Sequence, residues 1–337
     1  MDVPDPNPPP NEPSDGGQPE QGDDDSAFEE ESQYTDTESL RSSIFNFRKE
    51  HGRTYHVYGS TEHWGPNDDL AQEQQDISHH MWSLMLRGEL YIAPVENPHR
   101  ILDVGTGTGI WAIDCAEKHP EASVKGIDLS PIQPSWVPPN VYFEIDDFNL
   151  AWVDSEKYDL IHHRELLGSV PDWVEFYKKC FQALKPGGWI DCAEPGLWFD
   201  SFYVDLGPDD PYKQWSNGLF ESGNQVGMSF DVGPFVKEWL EAAGFINIRE
   251  KKFCCTVGKW SKDPWERDVG SWNQLRLVRG VEDFCSRRFV NQLDWSIDEV
   301  EILCARLRQA VKNNTLKVHQ WFFFVVGQKP MESKEEA

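Results

Sequence analysis

The stretch "RILDVGTGTGIWAIDCAEKHP", residues 100–120, constrains the fold more than any other feature of the chain. Gly105, Gly107 and Gly109 stand at alternate positions between a short apolar run and a segment with helical spacing. Glycine costs backbone entropy and supplies no packing, so a turn built this way serves a close approach to bare backbone. A strand feeding a helix through such a turn is the opening unit of a parallel sheet whose ligands bind beyond the strand ends.

The downstream pattern continues this alternation. "SVKGIDLS", "VYFEIDDFN", "YDLIHHRE" and "WIDCAEP" read as strands, and "VPDWVEFYKKCFQALKPGG" as a helix stopped by Pro186-Gly187-Gly188. Right-handed crossovers then predict a parallel sheet covered by helices on both faces. Residues 196–232 read as a loop followed by one helix, "PFVKEWLEAAGF" as a helix and "INIREKKFCCTVG" as a strand. A helical region at about 261–313 separates that strand from a last one, "KVHQWFFFVVGQKP", so it is expected as an insertion over one end of the sheet. Ahead of the sheet, "DDLAQEQQDISHHMWSLMLRGELY" places Ile77, Met81, Leu84 and Met85 at helical spacing behind Asp68-Asp69.

Charge divides the chain. Of the net −27, thirteen negative charges sit in residues 1–40, which contain no Lys or Arg and are rich in Pro, Asp, Glu and Ser. Such a segment cannot bury enough surface to offset its ordering entropy, so it is expected to be a disordered acidic tail, solubilising or partner-docking. Residues 41–97 form an N-terminal covering segment, 98–330 the main domain and 331–337 a flexible end. Lys251-Lys252 and Arg287-Arg288 are isolated pairs, which excludes a phosphate-neutralising surface for direct nucleic-acid binding. No apolar run approaches the length of a membrane span. The seven cysteines form no C-x-x-C pair, the expectation for reduced thiols in a cytoplasmic or nuclear protein without a metal site.

The glycine turn is neither of the common phosphate cradles. Its third glycine comes one residue too early for G-x-G-x-x-G, and no Gly-Lys-Ser/Thr follows it. With Asp103 ahead, the string is D-x-G-x-G-x-G. Asp128 closes the next strand 23 residues after Gly105, near the spacing at which an acid reaches ribose hydroxyls. This string in this setting resembles motif I of class I S-adenosylmethionine-dependent methyltransferases. "FRKEHGRTYHVYG", "DLSPIQPSWVPPNVYFEIDD", "YDLIHHRELLGSV", "LKPGGWIDCAEP" and "LEAAGFINIRE" narrow the resemblance to the fungal LaeA-like methyltransferases, over about residues 45–330.

That resemblance implies an α/β Rossmann-like fold with a seven-stranded, mostly parallel sheet, an antiparallel last strand and helical cap elements. It implies S-adenosyl-L-methionine as cofactor, held by Asp103, Gly105, Thr106, Gly107, Gly109, Trp111, Asp128 and Leu129. Asp146 or Asp147 would meet the adenine amino group, with Phe148 beside the base. Tyr55 and Tyr58 would either close over the cofactor or pack at the surface, and Arg53 could meet the methionine carboxylate. His162, His163 and Arg164 end the fourth strand. Alternation lets one histidine face the site, and His163 with Arg164 is the favoured catalytic pair; a histidine there deprotonates an acceptor or merely packs. Glu194 at the next strand end stands in the same position. Trp198, Trp215, Trp260, Trp265, Trp272 and Trp321 are expected around the acceptor pocket. The absence of an Asn/Asp-Pro-Pro-Tyr string argues against amino-group methylation of DNA bases or Gln. Two functions remain: a methyltransferase acting on a small molecule of secondary metabolism, or a cofactor-binding regulator in a velvet-type nuclear complex.

Overall fold

The computed structural model describes residues 44–59, 62–152, 157–313 and 315–331. The acidic tail at 1–40 lies outside these residues.

Seven strands form one sheet: β3 (Arg100–Val104), β4 (Ser123–Asp128), β5 (Val141–Ile145), β6 (Tyr158–Arg164), β7 (Leu184–Ser201), β8 (Ile246–Thr256) and β9 (Val318–Gln328). Their order across the sheet is β5-β4-β3-β6-β7-β9-β8. β3, β4, β5, β6 and β7 pair in parallel, while β9 runs antiparallel to both β7 and β8. From β3 the chain moves out to β4 and β5 on one side and then crosses to β6 and β7 on the other, so the order reverses between β3 and β6 and the strand ends there form the crevice where ligands bind. A separate hairpin, β1 (Arg48–Glu50) and β2 (Arg53–Tyr55), precedes the sheet.

The helices are α1 (Asp69–Met85), α2 (Ile110–Lys118), α3 (Trp173–Ala183), α4 (Pro211–Gln225), α5 (Val236–Ala242), α6 (Pro264–Leu293) and α7 (Ile297–Asn313). α1 starts where Asp68 accepts from the Ala71 amide. Its buried stripe carries Met81, Trp82 and Met85 but also Gln74, Ser78 and His79, while Ile77 and Leu84 are only half-buried. The stripe is polar because one half of the helix faces a charged crevice rather than the core. α6 and α7 lie between β8 and β9 in the chain, and α6 starts at Asp263-Pro264, with the Asp263 carboxylate accepting from Glu266.

β7 outruns its sequence reading at both ends. It begins at Leu184, directly after α3, and continues through Pro195-Gly196 to Ser201. Its pairing with β9 shifts register between Pro195 and Phe199 and then resumes at Phe199 opposite Gln320. The eleven-residue apolar strand β9 supplies partners far enough along for a strand interrupted by a bulge to recover. Among the described residues no helix is long and apolar enough to cross a membrane.

Candidate functional site

β3 hands the chain to α2 through the glycine turn, and this turn is fixed from every side. Gly105 and Thr106 amides both donate to Ile127 O, at 2.9 and 3.0 Å. Asp103, 3% exposed, accepts from Thr106 Oγ1 at 2.6 Å and so holds the loop from below. Gly107 donates its amide to Asp128 Oδ2 at 2.8 Å, and its carbonyl accepts from Gln133 Nε2 at 2.7 Å. From above, Gln75 of α1 accepts from the Thr108 amide and Asp76 from its hydroxyl. Gly105 and Gly107 sit at φ 68° and 58°, where a side chain is strained. A Cβ at Gly107 would meet Gln75 Oε1 at 2.4 Å.

The turn opens onto a cleft with about 1110 Å³ of empty space, its open mouth included. Gly105, Thr106, Gly107, Asp128, Leu129 and Phe148 line it, together with Arg164. Asp128 is pinned by two amides, Gly107 on Oδ2 and Ser130 on Oδ1 at 2.9 Å. Each oxygen keeps a lone pair for a further donor, which is what a pair of vicinal hydroxyls requires. Burial pushes this carboxyl upward, against the two amide bonds. These residues fit S-adenosyl-L-methionine: a bare, preformed turn beside a carboxylate with spare acceptor capacity.

Several expected site residues are elsewhere. His163 is fully buried, its Nε2 3.2 Å from the Tyr177 hydroxyl and its Nδ1 3.2 Å from Glu194 Oε1. It packs on α3 through Trp173 and Phe176 and does not line the cleft, which corrects its assignment as a base. Glu194 is equally buried and accepts from the Leu166 amide. His162 points to the other face, 3.7 Å from the Trp111 ring in a parallel stack, with Nδ1 on Asp103 Oδ1 at 2.7 Å. Burial lowers its pKa to about 4. Both faces of the sheet are covered, so alternation sends each histidine into a helix layer rather than the site.

Trp111 is therefore a core residue, donating to Leu90 O, and not a cofactor contact. Gly109 begins α2 against Phe143, away from the cleft. Asp147, 1% exposed, accepts from the Asn149 amide, and Asp146 from the Asp147 amide; neither lines the cleft. Tyr55 lies under the Arg287 guanidinium, 4.6 Å from its ring, and the Tyr58 carbonyl caps His56 Nδ1. Arg53 is committed to Asp68 and Asp283, each at 2.6 Å. Neither tyrosine lines the cleft. Of the six late tryptophans none does; Trp215, Trp260 and Trp265 donate to the carbonyls of Val281, Val318 and Leu84 in the packing.

The structure supplies other lining residues instead. The strap at 62–67, α1 and α6 bring in His63, Trp64, Gln74, Gln75, Asp283 and Phe284. Trp64 stacks on Phe284 at 4.8 Å and donates to Leu167 O. Burial drives His63 down to about 3, so it is neutral, with Nδ1 3.1 Å from the Ser169 hydroxyl. Arg287 clamps the strap to α6 through Glu50, Glu62 and the His63 carbonyl. At the end of β6, Glu165 adopts φ 57° and its Oε1 accepts from Ser78, Trp82 and Arg276. Burial opposes its charge, but Arg276 and Arg164 outweigh that and hold its carboxyl below the ordinary range. None of these contacts has a local sequence signal, because each joins segments distant in the chain.

A methyltransferase-domain family profile matches residues 77–250. Methyltransferase pytC of Aspergillus terreus is 38% identical over 294 residues, covering 87% of this chain and 91% of that one. The secondary metabolism regulator LAE1 of Cochliobolus heterostrophus is 33% identical, covering 84% and 95%. Protein-methionine methyltransferase laeA of Emericella nidulans is 30% identical, covering 85% and 77%. Among solved structures, Haemonchus contortus phosphoethanolamine N-methyltransferase 2 with S-adenosyl-L-methionine aligns at TM-score 0.48 and 15% identity, over 90% of this chain and 75% of that one. The family profile and the relatives at 30–38% identity show that the chain belongs to the fungal LaeA-like family of class I S-adenosylmethionine-dependent methyltransferases.

Proposed function

We propose that this methyltransferase acts on a small-molecule acceptor of fungal secondary metabolism, inside the cleft that the glycine turn opens onto. The observation that carries this reading is the roof. Beyond the cofactor residues the cleft continues between His63, Trp64, Ser169 and Phe284, a largely aromatic compartment roofed by the strap and α6, with Asp283 as the α6 carboxylate on it. Room of this kind suits a flat molecule enclosed on several sides. The identity to pytC, itself called a methyltransferase, supports the same direction.

S-adenosyl-L-methionine supplies an electrophilic methyl on a sulfonium. The chain's own work is alignment and exclusion of water. Gly105 and Gly107 let the backbone approach closely, and Asp128 accepts from hydroxyls. Ionised Glu165 lines the same cleft with its charge met by Arg276 at 3.1 Å. His63, the histidine on the cleft, is lowered to about 3 by burial and is too weak a base to take an acceptor's proton. The acceptor therefore brings its own reactive nucleophile or loses its proton to a carboxylate.

The test is transfer of isotope-labelled methyl from S-adenosyl-L-methionine into a fungal extract by the full chain. Label in small molecules, lost in Asp128→Ala, supports the reading; label confined to protein overturns it. A second reading is motivated by relatives named as regulators: a cofactor-binding component of a velvet-type nuclear complex with a protein acceptor. Recovery of a velvet-type protein with the tagged full chain from fungal lysate, together with label in protein, would favour it.

A further inference from the structure

Two side chains on the cleft carry polar atoms that nothing in the described structure satisfies. Gln74 of α1 is 5% exposed, and its Nε2 has no hydrogen-bond partner. Asp283 of α6 is 8% exposed; Oδ1 accepts from Arg53 Nη1 at 2.6 Å, while Oδ2 is unpartnered. A buried donor or acceptor left unmet is costly, so two on one cavity mark a place where something else completes the bonding.

The two groups are neighbours. A Cβ at Gly280 would lie 2.7 Å from Gln74 Cγ and 3.2 Å from its Nε2, so the amide rests on α6 at that glycine. Gly280 and Asp283 are three residues apart on the same helix and share a face. The stacked pair Trp64 and Phe284 lines the same cavity. Neither Gln74 nor Asp283 bonds to the glycine turn or to Asp128; both belong to the covering helices rather than to the sheet.

We infer that Gln74 and Asp283 form the recognition pair for the methyl acceptor, and that this acceptor is a flat, neutral hydroxy-carbonyl compound. Its hydroxyl donates to Asp283 Oδ2 and its carbonyl accepts from Gln74 Nε2, with its ring against Trp64 and Phe284. The inference rests on the reading that the cleft takes a small-molecule acceptor. A cationic acceptor is disfavoured because the Arg53 guanidinium already neutralises Asp283, 2.6 Å from its Oδ1. An anionic one would meet the carboxylates of Glu165 and Asp128, which line the same cleft. Burial that raises the Asp283 carboxyl to about 6, against the pull of Arg53, agrees with a group suited to a neutral donor.

The test uses the full chain saturated with S-adenosylhomocysteine and three probes: an N-methylated hydroxypyridone with adjacent hydroxyl and carbonyl, its methyl ether, and phenol. Affinities are read by ligand-observed NMR titration for wild type, Asp283→Asn and Gln74→Leu. The hydroxypyridone should bind wild type about tenfold tighter than either control, the loss expected when one buried hydrogen bond goes unmade. Each variant should lose about the same factor for the hydroxypyridone and keep its S-adenosylhomocysteine affinity, which also shows that it is folded. Equal binding by wild type and both variants, or no binding of the hydroxypyridone to wild type, overturns the inference. If labelled methyl still enters small molecules from extract, the acceptor reading survives that result; if it enters protein alone, the acceptor reading itself has failed.

Discussion

Asp191 offers a test of how the packing behind the cleft is held, and its size follows from two hydrogen bonds and a burial. The residue lies in β7, 1% exposed, and its Oδ2 accepts from both the Ile92 and Ala93 amides, at 2.7 and 2.8 Å. It thereby fastens the segment between α1 and β3 to the sheet. Burial raises its pKa from 3.8 to about 7, more than the two amides can offset. With Oδ2 occupied twice, the proton of the neutral form sits on Oδ1. Between pH 3.8 and 7 the native state keeps a proton that the unfolded chain has released, so stability is larger at low pH and is lost as pH rises through 7. From pH 5.5 to 8 that loss amounts to about 2 kcal/mol, at 1.36 kcal/mol per unit up to the native pKa. In Asp191→Asn the amide oxygen can accept both bonds and nothing titrates. Urea unfolding of wild type and variant at pH 5.5 and pH 8 measures the difference. The variant should gain about 2 kcal/mol on wild type across that interval. Parallel changes in the two proteins would refute the assignment of a buried, protonated carboxyl.

Three further outcomes follow from the site. Gly107→Ala places a Cβ 2.4 Å from Gln75 Oε1 at φ 58°, a strain of about 1–2 kcal/mol before any clash, so S-adenosyl-L-methionine affinity measured by calorimetry should fall at least about tenfold. Unchanged affinity would show that the turn does not touch the cofactor. His163→Gln should lower the melting temperature yet leave the pH profile of methyl transfer unaltered, because His163 faces α3; loss of one limb of the profile would restore it as a base. Arg287→Ala removes the clamp between strap and α6 and leaves the His63 carbonyl without its donor, a break of about 1–3 kcal/mol, so amide exchange at 53–55 and 62–67 should accelerate. Unaltered protection there would mean the strap is held by packing alone.

The parts of the fold that local chemistry dictates were readable from the chain. Glycines at 105 and 107 and acids at 103 and 128 belong to turns between adjacent elements, and the late apolar run of β9 read as a strand, while its antiparallel pairing followed from the family resemblance. His162 and His163 were not separable by alternation. Alternation assigns a side chain to a sheet face, whereas a ligand lies beyond the strand end, where only Arg164 and the αL residue Glu165 arrive. Trp111 and Asp147 sit close in sequence to cofactor positions but are turned into the core and into a local amide bond. The roof was invisible for a different reason. Trp64, Gln74, Asp283 and Phe284 meet across a fold in which Arg53 ties the β1–β2 hairpin, and Arg287 the strap, to α6 more than two hundred residues away. The late tryptophans attracted attention by number, yet their indole nitrogens go to backbone carbonyls in the packing.

The central claim is that the turn at 105–109 and Asp128 form an S-adenosyl-L-methionine site. Calorimetric titration of the folded full chain with S-adenosyl-L-methionine addresses it without reference to any acceptor. One equivalent should bind saturably to wild type. Asp128→Ala should bind about a hundredfold more weakly, since it strands two amides and removes the hydroxyl acceptor. A folded wild-type chain that takes up no cofactor, or an Asp128→Ala chain that binds as tightly as wild type, would contradict the account.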